Sequence, residues 1–161
     1  METAIPLIAT GIGATLVMDA GSLFRHRLFA TPLPDYALVG RWVAHSTHGR
    51  IRHAAISKST PIRGELALGW VTHYTVGIAF AWLLGLIAGA TWFERPTPAP
   101  ALATGIVTVL VPFLIMQPAM GSGFAAARTP RPNAARLQSV LTHTLFGAGL
   151  YLAALFFNVI R

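Results

Sequence analysis

The sequence has no cysteine and few charged residues. Asp, Glu, Lys and Arg make up 11% of its 161 residues, whereas a soluble domain usually contains about 25%. The absence of cysteine excludes disulfide scaffolds, thiolate catalysis and iron–sulfur ligation. The shortage of charge argues against a soluble globular or disordered chain. With 54% hydrophobic residues, the composition is instead typical of an integral membrane protein.

Four apolar segments are long enough to cross a membrane as helices, which takes about 20 residues each. They cover residues 5–24, 66–93, 99–120 and 140–160. The sequence therefore predicts an all-α protein, a membrane four-helix bundle that forms a single domain over residues 1–161. In the loop 30–64, Asp35 can cap a helix whose apolar and basic residues separate onto two faces. This pattern predicts an amphipathic helix at the cytoplasmic interface.

The basic residues are distributed unevenly between the two ends of these segments. Ten of the twelve Lys and Arg residues lie between the first and second or between the third and fourth segments. The positive-inside rule then places both long loops in the cytoplasm and both termini in the periplasm of a bacterial inner membrane. We attribute the net charge of +7 to this topology and to contact with anionic lipid headgroups, and not to nucleic-acid binding.

Small residues recur at every fourth position in three of the segments, which favours close packing between membrane helices. Asp19, His73 and His143 each lie on such a stripe, so we expect them to face one another inside the bundle. Uncharged polar groups join this predicted layer at Gln117, Thr15 and Ser139. Ionisable groups are costly inside a bilayer and often mark a functional site there.

Imidazole and carboxylate groups suit either a divalent transition metal or a proton relay. Further candidates at the membrane surface and in the loop are Glu65, His45 and His53. Two histidines on different helices also allow haem ligation. In the purely structural alternative, Asp19 accepts a hydrogen bond from Thr72 or His143 and fastens the bundle.

A glycine-containing segment after the third apolar segment leads into three arginines. Backbone N–H groups at glycines and arginine side chains together can hold an anionic solute or a lipid headgroup. The candidate residues for this anion site are Arg41, Arg128, Arg131, Arg136, Gly121 and Gly123. The alternative is a simple cytoplasmic hairpin whose arginines only mark the topology.

Several strings of residues resemble a known family. They include Val39-Gly40-Arg41-Trp42, Gly64-Glu65, Met116-Gln117-Pro118 and Gly121-Ser122-Gly123. Over nearly its whole length the chain resembles a bacterial family of small integral-membrane proteins catalogued only as a domain of unknown function. The resemblance implies a small multi-helix inner-membrane protein, and it implies neither catalytic residues nor a substrate.

Three kinds of function remain open from the sequence. The first is binding or transport of a metal ion, protons or a small anionic or lipid ligand, for which a homo-oligomer would offer more room than four helices. The second is a metal- or haem-dependent membrane enzyme that acts on a lipid-soluble substrate. The third is a structural or assembly protein without a ligand site.

Overall fold

The computed structural model describes residues 4–160, which form helices and connecting loops without a strand in that range. The α-helices are α1 (Ala4–Phe29), α2 (Tyr36–Thr47), α3 (Glu65–Ala88), α4 (Pro98–Thr108), α5 (Gln117–Met120) and α6 (Pro132–Val159). The predicted all-α class is confirmed. The two chain ends, which the charge distribution predicts to be periplasmic, lie outside the described residues.

Four helical stretches are long and apolar enough to cross a membrane. They are Ala4–Phe29, Glu65–Ala88, Pro98–Met120 and Pro132–Val159. Many of their large apolar side chains face outward; Leu86 is 80% exposed and Val107 is 56% exposed. Such extensive apolar surface is unfavourable in water and is matched by lipid. The chain therefore has the features of a multi-pass membrane protein.

The ends of the spanning helices differ from those predicted. α1 continues to Phe29, five residues beyond the predicted end at 24. α6 begins at Pro132 instead of residue 140, because its first two turns are polar and an apolar run does not reveal them. α3 ends at Ala88, since Gly89 adopts a φ of +85° and a 3-10 turn follows at Ala90–Phe93.

The third span is interrupted by irregular helical geometry. A π-helical turn at Pro112–Met116 lies between α4 and α5. Proline lacks the backbone N–H that an α-helix interior requires, so a departure at Pro112 is expected. π-helical turns inside α-helices are rare and occur frequently at functional sites.

α2 is the predicted helix of the first loop, and it is packed onto the start of α3. The Asp35 carboxylate caps it by accepting hydrogen bonds from the N–H groups of Ala37 and Leu38, at 3.0 and 3.4 Å. A Cβ added to Gly40 would overlap the carbonyl oxygen of Glu65, and one added to Gly69 would overlap the main chain of α2. The two backbones thus approach as closely as glycine allows.

The chain divides into two compact units. The four-helix unit comprises Met1–Leu33, Tyr74–Thr108 and Val140–Arg161, and the basic unit comprises Pro34–His73 and Val109–Ser139. The core of the four-helix unit includes the fully buried residues Ala14, Ala81, Leu84 and Leu150, with Phe146 beside them.

Glycine contacts bring the helices of the four-helix unit together. A Cβ on Gly11 of α1 would lie 2.6 Å from the Cα of Ile78 in α3, and one on Gly105 of α4 would lie 2.5 Å from the Cα of Gly147 in α6. Both separations are too short for a side chain. The close packing predicted from the small-residue stripes is therefore confirmed in this unit.

Candidate functional site

Asp19 is hydrogen-bonded to a tyrosine of another helix. The hydroxyl of Tyr74 in α3 donates to Oδ2 of Asp19 in α1 across 3.3 Å. Asp19 lies ten residues from the end of α1, or about 15 Å along the helix axis. Thr72, expected as a donor to this carboxylate, instead donates to the carbonyl of Leu68 in its own helix. Asp19 therefore lies deep within a spanning helix and has a hydroxyl partner.

His143 is hydrogen-bonded to a threonine of α4. Its Nδ1 lies 3.0 Å from the Oγ1 of Thr108, and that hydroxyl donates to the carbonyl of Gly105 at 2.7 Å. Because the single hydroxyl proton is directed at Gly105, Thr108 accepts from His143, which assigns the proton to Nδ1. The Phe80 ring lies beside the imidazole, with ring centroids 6.5 Å apart.

His73 belongs to an aromatic cluster in the basic unit. Its Nε2 is hydrogen-bonded to the hydroxyl of Tyr36, the first residue of α2, at 2.9 Å. The Tyr36 ring also packs on Trp70 and on His73, with centroid separations of 4.3 and 4.4 Å. The cluster fixes the imidazole between two aromatic rings and gives it a hydroxyl partner.

The three ionisable residues of the predicted layer therefore share one kind of environment. Asp19, His73 and His143 each have a hydroxyl partner from a different helix. Asp19 and His143 belong to the four-helix unit, whereas His73 belongs to the basic unit. Within residues 4–160, no group of three or more His, Cys, Asp or Glu side chains is arranged to hold a metal ion.

Glu65 and Arg41 form an ion pair in the basic unit. Nε and Nη2 of Arg41 donate to the two carboxylate oxygens of Glu65 at 2.8 and 2.7 Å. The hydrogen bond to Glu65 raises the pKa of Arg41 above its ordinary value. The third nitrogen, Nη1, donates to the loop carbonyls of Ile56, Ser57 and Ser59. Arg41 was a candidate for the anion site and Glu65 for the metal or proton site. In the structure the two residues neutralise each other and hold the loop against α2 and α3.

The loop histidines are also occupied by hydrogen bonds. His53 is buried, with Nδ1 2.9 Å from the hydroxyl of Ser59 and Nε2 3.0 Å from the carbonyl of Arg50. His45 places Nε2 3.0 Å from the carbonyl of Thr60. The two imidazoles pack edge to face, with centroids 5.1 Å apart. These contacts stabilise the loop, and both imidazoles use ring nitrogens in hydrogen bonds to it.

The glycines after the third span shape a tight connection. Gly121 and Gly123 have φ angles of +97° and +74°, and a Cβ on Gly121 would overlap the carbonyl of Ala54. The backbone N–H of His53 donates to the carbonyl of Ala119 at 2.8 Å. These contacts dock the first loop against the end of α5, so the glycines are needed for conformation and close approach.

The three arginines that follow differ in their contacts. Arg136 donates to the carbonyl of Ala125 at 2.8 Å and to Oδ1 of Asn133 at 3.0 Å. Arg128 and Arg131 form no ion pair with another residue of the described range. Their guanidinium groups therefore keep their charge unneutralised by a nearby carboxylate.

The uncharged members of the predicted layer fall in different places. Gln117 donates through Nε2 to the hydroxyl of Ser139 at 3.4 Å, in the basic unit. The buried Oε1 of Gln117 has no hydrogen-bond partner in the described part of the chain. Thr15, which is fully buried in the four-helix unit, donates to the carbonyl of Gly11 in its own helix. A Cβ added to Gly77 of α3 would overlap the hydroxyl of Thr15, so Thr15 packs at the α1–α3 crossing.

Sequence reasoning missed the partners of the ionisable residues. Tyr36, Tyr74 and Thr108 supply the three hydroxyl groups, and none of them lies on a predicted polar stripe. One signal was available, because Tyr74 directly follows His73 in the chain. Nothing in the spacing of Tyr36 or Thr108 singles them out.

Comparison with known proteins identifies a family and no characterised relative. A family model described as a protein of unknown function, DUF2938, matches residues 8–157. This match confirms the resemblance predicted from the sequence. No curated protein and no solved structure matches the chain significantly.

Proposed function

The chain belongs to the DUF2938 family, and from that premise we propose that it is an inner-membrane protein that binds or transfers protons inside the four-helix unit. Asp19 and His143 are the proton-binding groups of this proposal. Tyr74 and Thr108 are their hydroxyl partners. One observation supports it most directly, namely that each ionisable side chain is hydrogen-bonded across a helix interface.

The proposed orientation follows from the charges of the basic unit. This unit holds eight of the twelve basic residues and two acidic residues, Asp35 and Glu65. The basic residues are Arg41, Arg50, Arg52, Lys58, Arg63, Arg128, Arg131 and Arg136. The positive-inside rule assigns such a concentration to the cytoplasmic side, which would leave both termini in the periplasm.

Hydroxyl partners suit protons better than metal ions. The Tyr74 hydroxyl can donate to an ionised Asp19 or accept from a protonated one, and Thr108 accepts from Nδ1–H of His143 in both the neutral and the protonated imidazole. A divalent metal needs several ligands converging on one point. An ionisable group in a bilayer costs several kcal/mol, and hydrogen bonding lowers that cost. The hydrogen bonds thus stabilise Asp19 and His143 inside the spanning helices in both of their protonation states.

Proton flux into vesicles tests this function. Purified protein would be reconstituted into liposomes that contain a pH-sensitive dye, and a potassium diffusion potential would drive protons inward. We expect flux above that of empty liposomes, and its loss in Asp19→Asn, which keeps the shape and removes the titratable group. Tyr74→Phe should reduce the flux because it deletes the hydroxyl partner.

A matched control separates this effect from general loss of charge. Glu94 lies in the turn after α3, outside the four spans, so Glu94→Gln should retain wild-type flux. Wild-type flux equal to that of empty liposomes, or full flux in Asp19→Asn, would contradict the proposal. In the latter case the hydroxyl pairs would be fasteners between helices.

Anionic lipid binding by the basic unit is a second candidate. It is favoured by Arg128 and Arg131, which lack a carboxylate partner among the described residues. Contacts of this kind are electrostatic, each worth about 1 kcal/mol near an anionic leaflet and screened by salt. Affinity for vesicles containing phosphatidylglycerol should therefore fall with added salt and in the double variant Arg128→Gln/Arg131→Gln.

A further inference from the structure

Arg25 lies at a close contact between α1 and α6 in the four-helix unit. One of its terminal nitrogens, Nη2, donates to the hydroxyl of Thr142 at 2.8 Å and to that of Ser22 at 3.3 Å. The two helices approach closely beside it, because a Cβ on Gly21 would lie 2.7 Å from a methyl of Leu145. The guanidinium is therefore held in place by contacts from both helices.

No carboxylate of residues 4–160 neutralises the charge of Arg25. Its other terminal nitrogen, Nη1, is buried and has no hydrogen-bond partner in the described range. No Asp or Glu of residues 4–160 forms an ion pair with it. A guanidinium stays protonated in proteins, and a buried donor left without an acceptor is destabilising. Nη1 of Arg25 thus has no anionic acceptor among the described residues.

A phosphate group matches what the surroundings of Arg25 offer. Arginine binds phosphate through charge-assisted N–H donors. In Arg25 these would be the two protons of Nη1, because Nε donates to the carbonyl of Gly21 at 3.4 Å and Nη2 to the two hydroxyls. The hydroxyls of Ser22 and Thr142 accept from the guanidinium, and their own protons remain available for an oxyanion. Arg25 also lies four residues from the end of α1, about 6 Å along the axis, where a span meets the headgroup region.

We propose that Arg25, Ser22 and Thr142 form a binding site for a phosphate oxyanion. The phosphate can come from the headgroup of an anionic phospholipid or from a free phosphate-bearing solute. This site is independent of the proton function, because it uses neither Asp19 nor His143. It is also separate from the basic unit, whose arginines would bind anions by less specific electrostatic attraction.

Lipid retention measured by native mass spectrometry tests the site. The full chain would be released from nanodiscs containing either phosphatidylglycerol or phosphatidylcholine, and isothermal titration in phosphatidylcholine nanodiscs would measure binding of inorganic phosphate. We expect Arg25→Gln to lower the affinity for the bound phosphate species by about tenfold or more, since charge-assisted hydrogen bonds are lost. Thr142→Val should lower it by a smaller factor, and Arg25→Lys should retain part of it.

Arg27→Gln is the matched control. It removes the same charge two residues along α1, from an exposed side chain, and should leave binding unchanged. Retention of phosphatidylglycerol without binding of inorganic phosphate identifies a lipid headgroup as the ligand, and the reverse identifies a solute. Equal loss in Arg25→Gln and Arg27→Gln, or no Arg25-dependent binding of either probe, would overturn the proposal. If Arg25→Gln fails to fold, Thr142→Val and Arg25→Lys provide the same comparison.

Discussion

Replacing Gly40 by alanine should loosen the packing of α2 against α3. The new Cβ would overlap the carbonyl oxygen of Glu65 and lie 2.6 Å from the backbone nitrogen of Gly69. Both obstacles are main-chain atoms of a helix, so neither can rotate away. α2 must therefore shift as a whole, and Arg41, the next residue, would be drawn away from its carboxylate partner.

The magnitude follows from the cost of overpacking a well-packed contact, about 1–3 kcal/mol and occasionally more. Alanine gains up to about 1 kcal/mol over glycine in helix propensity, which offsets part of this cost. We expect a net loss of about 1–2 kcal/mol. For a chain of this size, each kcal/mol shifts the melting temperature by about 2–4 °C.

Thermal unfolding in detergent, followed by circular dichroism and by size-exclusion chromatography, would measure this loss. Gly85→Ala is the control, because its Cβ would meet only side-chain atoms of Phe93 and Leu7, at 3.2 and 3.3 Å. Those groups can adjust by a few tenths of an ångström, so the control should melt close to wild type. A melting temperature for Gly40→Ala at or above that of Gly85→Ala would refute the proposed close contact.

Two further predictions concern the basic unit. Ala126 has a φ of +59°, a conformation that costs a residue with a Cβ about 1–2 kcal/mol. Ala126→Gly should therefore raise the melting temperature by a few degrees, and a decrease would contradict the strained geometry. Arg41→Gln should speed amide hydrogen exchange across residues 56–60, because the guanidinium binds three carbonyls there. Arg52→Gln removes the same charge from an exposed position and should leave exchange unchanged, and equal effects of the two variants would argue against the anchoring role.

The spanning helices were predictable because length and hydropathy are local properties. Their ends were harder to predict, since a helix continues wherever its backbone hydrogen bonds and caps allow. The first turns of α6 are polar, with Asn133 and Arg136 among them, so they resemble a loop in a hydropathy pattern. The break after α3 depends on the positive φ of Gly89, which one glycine among many does not reveal.

The candidate site was predictable in its ionisable residues and not in its partners. Periodicity places Asp19 on the face of α1 that packs on other helices, and the crossing at Gly11 agrees with that. Which side chain meets Asp19 depends on the rotation and tilt of α3, which a single sequence does not specify. The pairing of Tyr74 with Asp19 is therefore visible only in three dimensions.

Arginine illustrates the difference most clearly, because the positive-inside rule counts every loop arginine equally. In the structure, the N–H groups of Arg41 donate to the carboxylate of Glu65 and to three loop carbonyls. The carboxylate neutralises the charge of Arg41, and the carbonyls fix the loop. Arg25 donates to two hydroxyls and to the carbonyl of Gly21, and its buried Nη1 has no acceptor within residues 4–160. All three nitrogens of the Arg41 guanidinium have acceptors within the protein, whereas Nη1 of Arg25 has none among the described residues, and the proposed phosphate oxyanion would supply one. Ligand binding should therefore depend on Arg25, while loss of Arg41 should affect stability first.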